Sequence, residues 1–368
     1  MPKLSTFKIM THFKKNTYHV LGVMSGTSLD GIDIAEITFH LSEKQQWNFE
    51  IGHAETVPYS DQWRSILKEA VHFSEGRLKA LNTTYTDYLA DVISKVIAEK
   101  KIENLDAVCS HGHTILHQPE NGRTLQIGNL QFLADALGET VVCDFRVQDV
   151  ALGGQGAPLV PIGDQLLFSD YDACLNLGGF ANCSFEKEGQ RIAYDICPVN
   201  IVLNALAETL HLPYDDGGTI ARNGTIDINV LDVLNTLQFY KQKPPKSLGL
   251  EWVQEFIFPV LEKAKISAED KMATFTEHVA VQLAAQFAEG SEVLVTGGGA
   301  YNTFLLERVR YHTTLRLEVP SPLLLEFKEA LVFGLLGVLR MRNEVNCLAS
   351  VTGAKHDHCS GMLFQKLP

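Results

Sequence analysis

Apolar residues near the start of the chain fall into three strand-like runs, residues 18–24, 31–39 and 47–57. The second alternates, Ile32-Asp33-Ile34-Ala35-Glu36-Ile37, at the period of a half-buried strand. Helical spacing replaces alternation over residues 62–72 and 78–100, where Leu78, Leu81, Tyr85, Leu89 and Ile93 would share one face. A short apolar strand at 107–110 then leads into a loop, His111-Gly112-His113-Thr114. A helix at 130–137, a strand at 140–143 and a long glycine-rich loop at 144–161 follow.

From residue 173 the opening pattern recurs. Ala173–Leu177 and residues 180–185 read as strands around Gly178-Gly179, as residues 18–24 and 31–39 flank a glycine turn. A third turn, Gly297-Gly298-Gly299, follows a buried strand at 293–296 and opens a helix at 303–310. Residues 215–250 carry turn chemistry and would wrap the second half. A last apolar helix is expected at 328–340, with Glu329 near its start and Gly334 and Gly337 allowing close packing. The echo suggests two lobes of one plan, each offering one turn to a shared ligand.

The first turn, Gly26-Thr27-Ser28-Leu29-Asp30-Gly31-Ile32-Asp33, has the composition of an anion cradle. Glycines let backbone N–H groups approach a ligand, and hydroxyls add donors. It lacks the lysine of a Walker loop, and no helix follows it, so the reading is a strand–turn–strand phosphate hairpin. Asp30 is a candidate for magnesium or its bound water; Asp30 and Asp33 would otherwise shape the turn. The Gly297–Gly299 turn, with Asn302 behind it, reads as a strand–turn–helix nucleotide site.

Composition narrows the partners. The 368-residue chain is long enough for two domains, and its net charge of −13 argues against nucleic acid or an anionic membrane surface. Seven scattered cysteines, with no CxxC pair, read as buried thiols of a cytoplasmic protein. No apolar run reaches membrane-spanning length. Residues 1–16 are basic without an apolar core and read as a loose leader.

Several stretches together resemble the anhydro-N-acetylmuramic acid kinase family of the actin/hexokinase/Hsp70 ATPase superfamily. They include Gly22–Gly31, Ser110-His111-Gly112-His113-Thr114, Gln126-Ile127-Gly128-Asn129, Asp144-Phe145-Arg146, and the specific run Gly153-Gly154-Gln155-Gly156-Ala157-Pro158-Leu159-Val160-Pro161. Leu175–Asn182, Gly297–Gly299, Glu329-Ala330 and Ser350–Ala354 complete the pattern. The resemblance implies an α/β fold of two ribonuclease H-like lobes with an interlobe cleft. Residues 17–143 with 325–368 would form one lobe and 144–324 the other. It implies ATP and Mg2+, a small anhydro amino sugar as substrate, and a homodimer. The implied reaction opens 1,6-anhydro-N-acetylmuramic acid with water and phosphorylates O6, a step in peptidoglycan recycling.

By the same resemblance Asp195, in Ala193-Tyr194-Asp195-Ile196-Cys197-Pro198-Val199-Asn200, is the base that activates water. Its structural alternative is a cap on a helix at 199–210. Gly178, Gly179 and Asn182 join Gly26–Asp33 as nucleotide ligands, with Gly297–Gly299 and Asn302. His113, Thr114, Arg146, Gly156, Pro158, Asn200 and Glu329 are the substrate candidates. The chain departs from the family pattern at Ile196, Cys197 and Val199, and at Val147 and Gln148, where arginines are common. Asp144 and Asp149 flank Arg146 and would pair with it. His111, His113 and His117 lack zinc spacing, and His356, His358 and Cys359 read as a polar surface loop. A kinase for another sugar of the same superfamily, and a silent sugar sensor, are the competing readings.

Overall fold

The computed structural model describes residues 15–26 and 28–366; Thr27 and residues 1–14 of the expected leader lie outside it. Lys15 and Asn16 are tied down, since the Asn16 carbonyl accepts from Leu41 N at 2.7 Å and the Lys15 carbonyl from Arg342 at 2.8 Å. The chain divides into two compact units, one made of residues up to Ala157 together with those from Ala330 onward, the other of Pro158–Glu329. Residues 144–157, assigned from sequence to the second lobe, therefore pack with the first unit, and Glu329 belongs to the second.

In the first unit the strands are β1 (Thr17–Ser25), β2 (Gly31–Leu41), β3 (Trp47–Pro58), β4 (Ala107–Gln118), β5 (Arg123–Ile127) and β6 (Val141–Cys143). In the second they are β7 (Ala173–Leu177), β8 (Phe180–Lys187), β9 (Gln190–Pro198), β10 (Glu292–Thr296) and β11 (Arg316–Glu318); β12 (Met362–Phe364) returns to the first sheet. The first sheet runs β12-β6-β4-β1-β2-β3, and the second β11-β10-β7-β8-β9. In each, three antiparallel strands in sequence are continued by two that run parallel to the first: β1 with β4 and β6, β7 with β10 and β11. That is the ribonuclease H-like order, present twice. The echo in the sequence is thus a repeat of topology.

The first sheet is covered on one face by the helix Glu75–Lys100, whose Leu81, Tyr85, Leu89 and Ile93 bury against Leu21, Val23, Ile32 and Ile34. Residues 330–341 of the helix Pro322–Met341 cover the other face at close range. A Cβ on Gly22 would lie 2.1 Å from the Ala330 carbonyl oxygen, and one on Gly337 2.1 Å from Cys109 Sγ. The expected close packing at Gly334 and Gly337 is therefore built in, although the helix starts at Pro322, six residues before the expected start at Lys328. The second unit's core gathers Leu175, Leu177, Ile196, Val202 and Leu203 with Phe275 and Val279 of the long helix Ala268–Ala284.

Three local expectations are corrected. β4 does not end at Ser110 but runs through His111 and His113, because a register shift opposite Val23–Ser25 and the positive φ of Gly112 (71°) absorb the irregularity. The loop 144–161 contains a short helix, Val147–Ala151, and a second helix begins at Pro161. Residues 215–250 fold largely into short helices, including Thr219–Asn223 and Ile228–Asn235, rather than turns alone. No helix among the described residues is long and apolar enough to cross a membrane.

Candidate functional site

In the first unit the β1–β2 hairpin presents Gly26, Ser28, Leu29, Asp30 and Gly31, while Thr27 lies outside the described residues. Ser28 and Asp30 are exposed, and Leu29 closes the turn by donating its N–H to the Gly26 carbonyl at 3.4 Å. Asp30 also anchors the turn through its backbone, the carbonyl accepting from Tyr59 N at 3.3 Å. Asp33 accepts from Thr56 Oγ1 at 2.6 Å, so it helps shape the hairpin. Its carboxylate faces the neighbouring strand, whereas the exposed Asp30 carboxylate has the oxygen donor and access a magnesium ion or its water requires.

Beneath the hairpin lies a buried hydroxyl network. Ser25 Oγ is bonded to His113 Nδ1 at 2.8 Å and to Tyr59 OH at 2.5 Å, and it accepts from Tyr85 OH at 3.0 Å. Burial pushes His113 down to about 4, so its ring is neutral at neutral pH. His113, expected as a sugar contact, thus turns inward and braces the end of β1. Thr114 accepts from Gln126 Nε2 at 3.3 Å.

Arg146 is positioned by groups of the first unit. Its Nε donates to His111 Nε2 at 2.8 Å, and its Nη1 to the Gly156 carbonyl at 2.6 Å. His111 Nδ1 lies 2.8 Å from the Gly112 carbonyl. A carbonyl only accepts, so Nδ1 carries the proton and Nε2 receives Arg146. Burial, then the Arg146 charge, holds His111 well below its ordinary value and keeps it neutral. Asp149 instead accepts from Gly156 N at 2.6 Å and Thr352 Oγ1 at 2.7 Å. The Gly154–Gly156 turn is therefore gripped from both sides; Gly156 is buried at φ 68°, while Pro158 is exposed. Val147 and Gln148, where the family pattern carries arginines, are exposed.

Gln126 and Asn129, from the family-like run Gln126-Ile127-Gly128-Asn129, also carry unpartnered polar atoms. Asn129 has neither side-chain polar atom bonded, and Gln126 Oε1 is also unpartnered, all three atoms being buried. Buried polar atoms without partners cost free energy, so a polar ligand is the natural complement. A composition-based reading misses them because Asn and Gln are ordinary loop residues.

In the second unit three sequence-separated pieces meet. The N–H groups of Val199 and Ile201 donate to the Gly179 carbonyl at 2.8 and 3.3 Å, and Asn200 N to Gly178 O at 3.3 Å. The helix Asn200–Glu208 is thereby seated on the Gly178-Gly179 turn. Asn200 Nδ2 donates to the Leu177 carbonyl at 3.3 Å. A Cβ on Gly297 or Gly299 would come within 2.9 Å of Leu177, so this glycine turn closes against the same strand end. Asn302 caps the helix Thr303–His312, its Oδ1 accepting from Leu305 N at 2.9 Å. Its side-chain oxygen is committed to the cap.

Asp195 sits inside β9, opposite Asn182 of β8, and not at a helix start. The residue preceding the helix is Val199, without a side-chain cap, so the capping alternative is corrected. Asp195 Oδ2 accepts from Leu248 N at 2.8 Å. Burial raises its carboxyl above the ordinary range, and the Leu248 N–H works against that shift. Ile196, Cys197 and Val199 are wholly buried in the core, so these departures from the family pattern are packing residues. Glu329 is exposed and lies two turns into its helix.

The loop read as surface, His356–Cys359, is corrected: His358 is buried, as is Cys347 beside it in the pairing of Cys347 with His358. Arg340 Nε donates to the Gly361 carbonyl at 2.7 Å and fixes the end of this segment.

Two ribonuclease H-like sheets, each opening on a glycine turn, define a protein of the actin/hexokinase/Hsp70-like ATPase class. The family model for anhydro-N-acetylmuramic acid kinase matches residues 18–366. A Bacillus cereus (strain AH187) anhydro-N-acetylmuramic acid kinase is 33% identical, with 92% of this chain and 96% of the relative covered. One from Bacillus thuringiensis (strain Al Hakam) is 32% identical over the same shares. This chain belongs to the anhydro-N-acetylmuramic acid kinase family. Among solved structures, component A of the Acidaminococcus fermentans (R)-2-hydroxyglutaryl-CoA dehydratase overlays with a TM-score of 0.44 at 14% identity, covering 88% of this chain and 99% of that one.

Proposed function

We propose that this chain is an ATP-dependent kinase that opens 1,6-anhydro-N-acetylmuramic acid with water and phosphorylates its O6. The product would be N-acetylmuramate 6-phosphate, formed during peptidoglycan recycling in the cytoplasm. The observation that carries the reading is the duplicated sheet order, with a glycine turn after β1 and again after β7. In this reading Gly26–Asp33, Gly178, Gly179 and Asn182 hold phosphates, and Gly297–Gly299 approach the adenosine. Magnesium, when bound, would neutralise charge on the phosphates; Asp30 would hold it, directly or through water.

Asp195 takes a proton from the water that attacks the anomeric carbon, and burial, by raising its carboxyl above the ordinary range, makes it a stronger base for that step. Leu248 N fixes the orientation of the carboxylate. As O6 leaves the anomeric carbon it becomes the nucleophile toward the γ-phosphorus. The bonds of Arg146 to His111 and the Gly156 carbonyl fix the position of its guanidinium, which in this reading meets an anionic substituent of the sugar. Asn129 and Gln126, with their unpartnered atoms, would supply neutral hydrogen bonds to sugar hydroxyl or amide groups. Asn200, Thr114, Gly156, Pro158 and Glu329 complete the proposed sugar surroundings. His113 acts from behind, through Ser25. A homodimer belongs to the same reading.

An ATP-consumption assay over a panel of amino sugars tests it. ADP release with 1,6-anhydro-N-acetylmuramic acid, and little with its ring-opened counterpart, is expected. Preference for another sugar would overturn the substrate, and sugar-induced heat stabilisation without ADP would favour a sensor.

A further inference from the structure

We propose that Asp149, Cys347 and His358 form a buried three-ligand site for a divalent transition metal of the zinc class. One carboxylate oxygen, one sulfur and one imidazole nitrogen lie within 4.8 Å of one another. Cys347 Sγ is 3.1 Å and His358 Nε2 3.5 Å from the same oxygen, Asp149 Oδ1. Zinc bonds of about 2.0–2.3 Å at tetrahedral angles separate ligand atoms by roughly 3.3–3.7 Å, a range that the two separations from Asp149 Oδ1 closely approach. A mixed O/S/N donor set suits a borderline-soft ion and not magnesium or calcium.

His358 supplies an independent pointer. Its Nδ1 lies 3.2 Å from the His356 carbonyl, which fixes the proton there in the neutral ring. The Nε2 lone pair then faces a carboxylate, and Nε2 has no hydrogen-bond partner. Two acceptors aimed at each other inside the protein repel; a cation between them removes the conflict. Asp149, Cys347 and His358 are 0%, 1% and 5% exposed, so the pointer is a buried one. Binding would release the Cys347 thiol proton to solvent. Carboxylate, thiolate and a divalent ion then sum to zero charge, which limits the cost of burying them.

The ion would fasten two segments of the first unit. Asp149 also holds Gly156 N, so the metal would link the Gly154–Gly156 turn to the chain around Thr352 and His358. With three protein ligands, a fourth position remains for water. Because the ligands are buried, the ion would be taken up as the unit folds.

The test uses the full chain, purified from zinc-supplemented growth and dialysed against metal-free buffer, and its readouts do not depend on turnover. Elemental analysis should find about one zinc per chain, falling to near zero in C347S and in H358N. H356N, at an exposed neighbour, should keep its metal. Wild-type protein from cobalt(II)-supplemented growth should carry a thiolate-to-cobalt charge-transfer band that C347S lacks. A wild-type chain that takes up neither ion, or zinc retained in both C347S and H358N, would overturn the site and leave a hydrogen-bonded hub. If the variants do not fold, the wild-type cobalt spectrum decides alone: absence of the thiolate band refutes the site.

Discussion

Replacing Asp195 with asparagine separates chemistry from architecture at one position. The carboxylate accepts a single N–H, from Leu248 at 2.8 Å, and the asparagine carbonyl oxygen can take the same place. What disappears is the capacity to accept a proton from water. Loss of a general base costs roughly 10²–10⁴ in rate, or about 3–5 kcal/mol of barrier. The fold should respond in the opposite sense. Burial raises the Asp195 carboxyl, so the folded state binds its proton more readily than the unfolded chain. Its contribution to stability is therefore greatest below the unfolded pKa and is lost as pH rises through the folded one. Asparagine removes that loss, and the melting temperature near about pH 7 should equal or slightly exceed the wild-type value. Coupled ADP release and thermal melts, run on one preparation, give both numbers. In the wild-type chain the acid limb of kcat/KM should lie above the usual aspartate pKa of about 3.9. Near-normal turnover of D195N would refute the base assignment. A large fall in melting temperature with lost ATP binding would make Asp195 a structural clamp.

Gly26→Val should leave stability almost unchanged, because a Cβ there meets nothing nearer than Ser28 Oγ at 3.5 Å, and should raise the KM for ATP by crowding the phosphates. A rise confined to the sugar KM would contradict the assignment of that turn. Gly337→Ala should destabilise the first unit by about 1–3 kcal/mol in urea titration, since its Cβ would stand 2.1 Å from Cys109 Sγ. An unchanged midpoint would mean that helix and sheet can part freely. Lys328→Met leaves buried Asp164 without its 2.7 Å cation and should cost about 3–5 kcal/mol, read from denaturant midpoints.

The glycine turns were legible because their signal is local: a buried strand, small residues, then a second strand or a helix. The recurrence of those runs suggested two lobes of one plan, while the strand order itself came only through the family resemblance. The end of β4 was misread because His111-Gly112-His113 looks like loop composition, and only pairing with β1 and β5 keeps it in the sheet. The long buried helix Ala268–Ala284 carries Glu277, His278 and Gln282 inward, which blurs its apolar face. Those groups are satisfied by residues far away in sequence, Arg308 and His312 for Glu277, Asn235 and Tyr240 for His278. His358 was misplaced for the same reason, since its neighbours are polar and its burial depends on Cys347 and Asp149. Asp195 shows the division best. A family pattern could name it, but its place within β9 and its bond to Leu248 required tertiary structure.

The most direct measurement is mass analysis of the product formed from 1,6-anhydro-N-acetylmuramic acid, ATP and 18O-labelled water. A ring-opened sugar phosphate with one label at the anomeric carbon and an unlabelled phosphoryl group is expected. A label in inorganic phosphate with the anhydro sugar intact would mean simple ATP hydrolysis. A phosphorylated sugar that keeps its anhydro bridge would separate kinase action from ring opening. Either result would contradict the proposed coupling of water attack at the anomeric carbon to phosphorylation at O6.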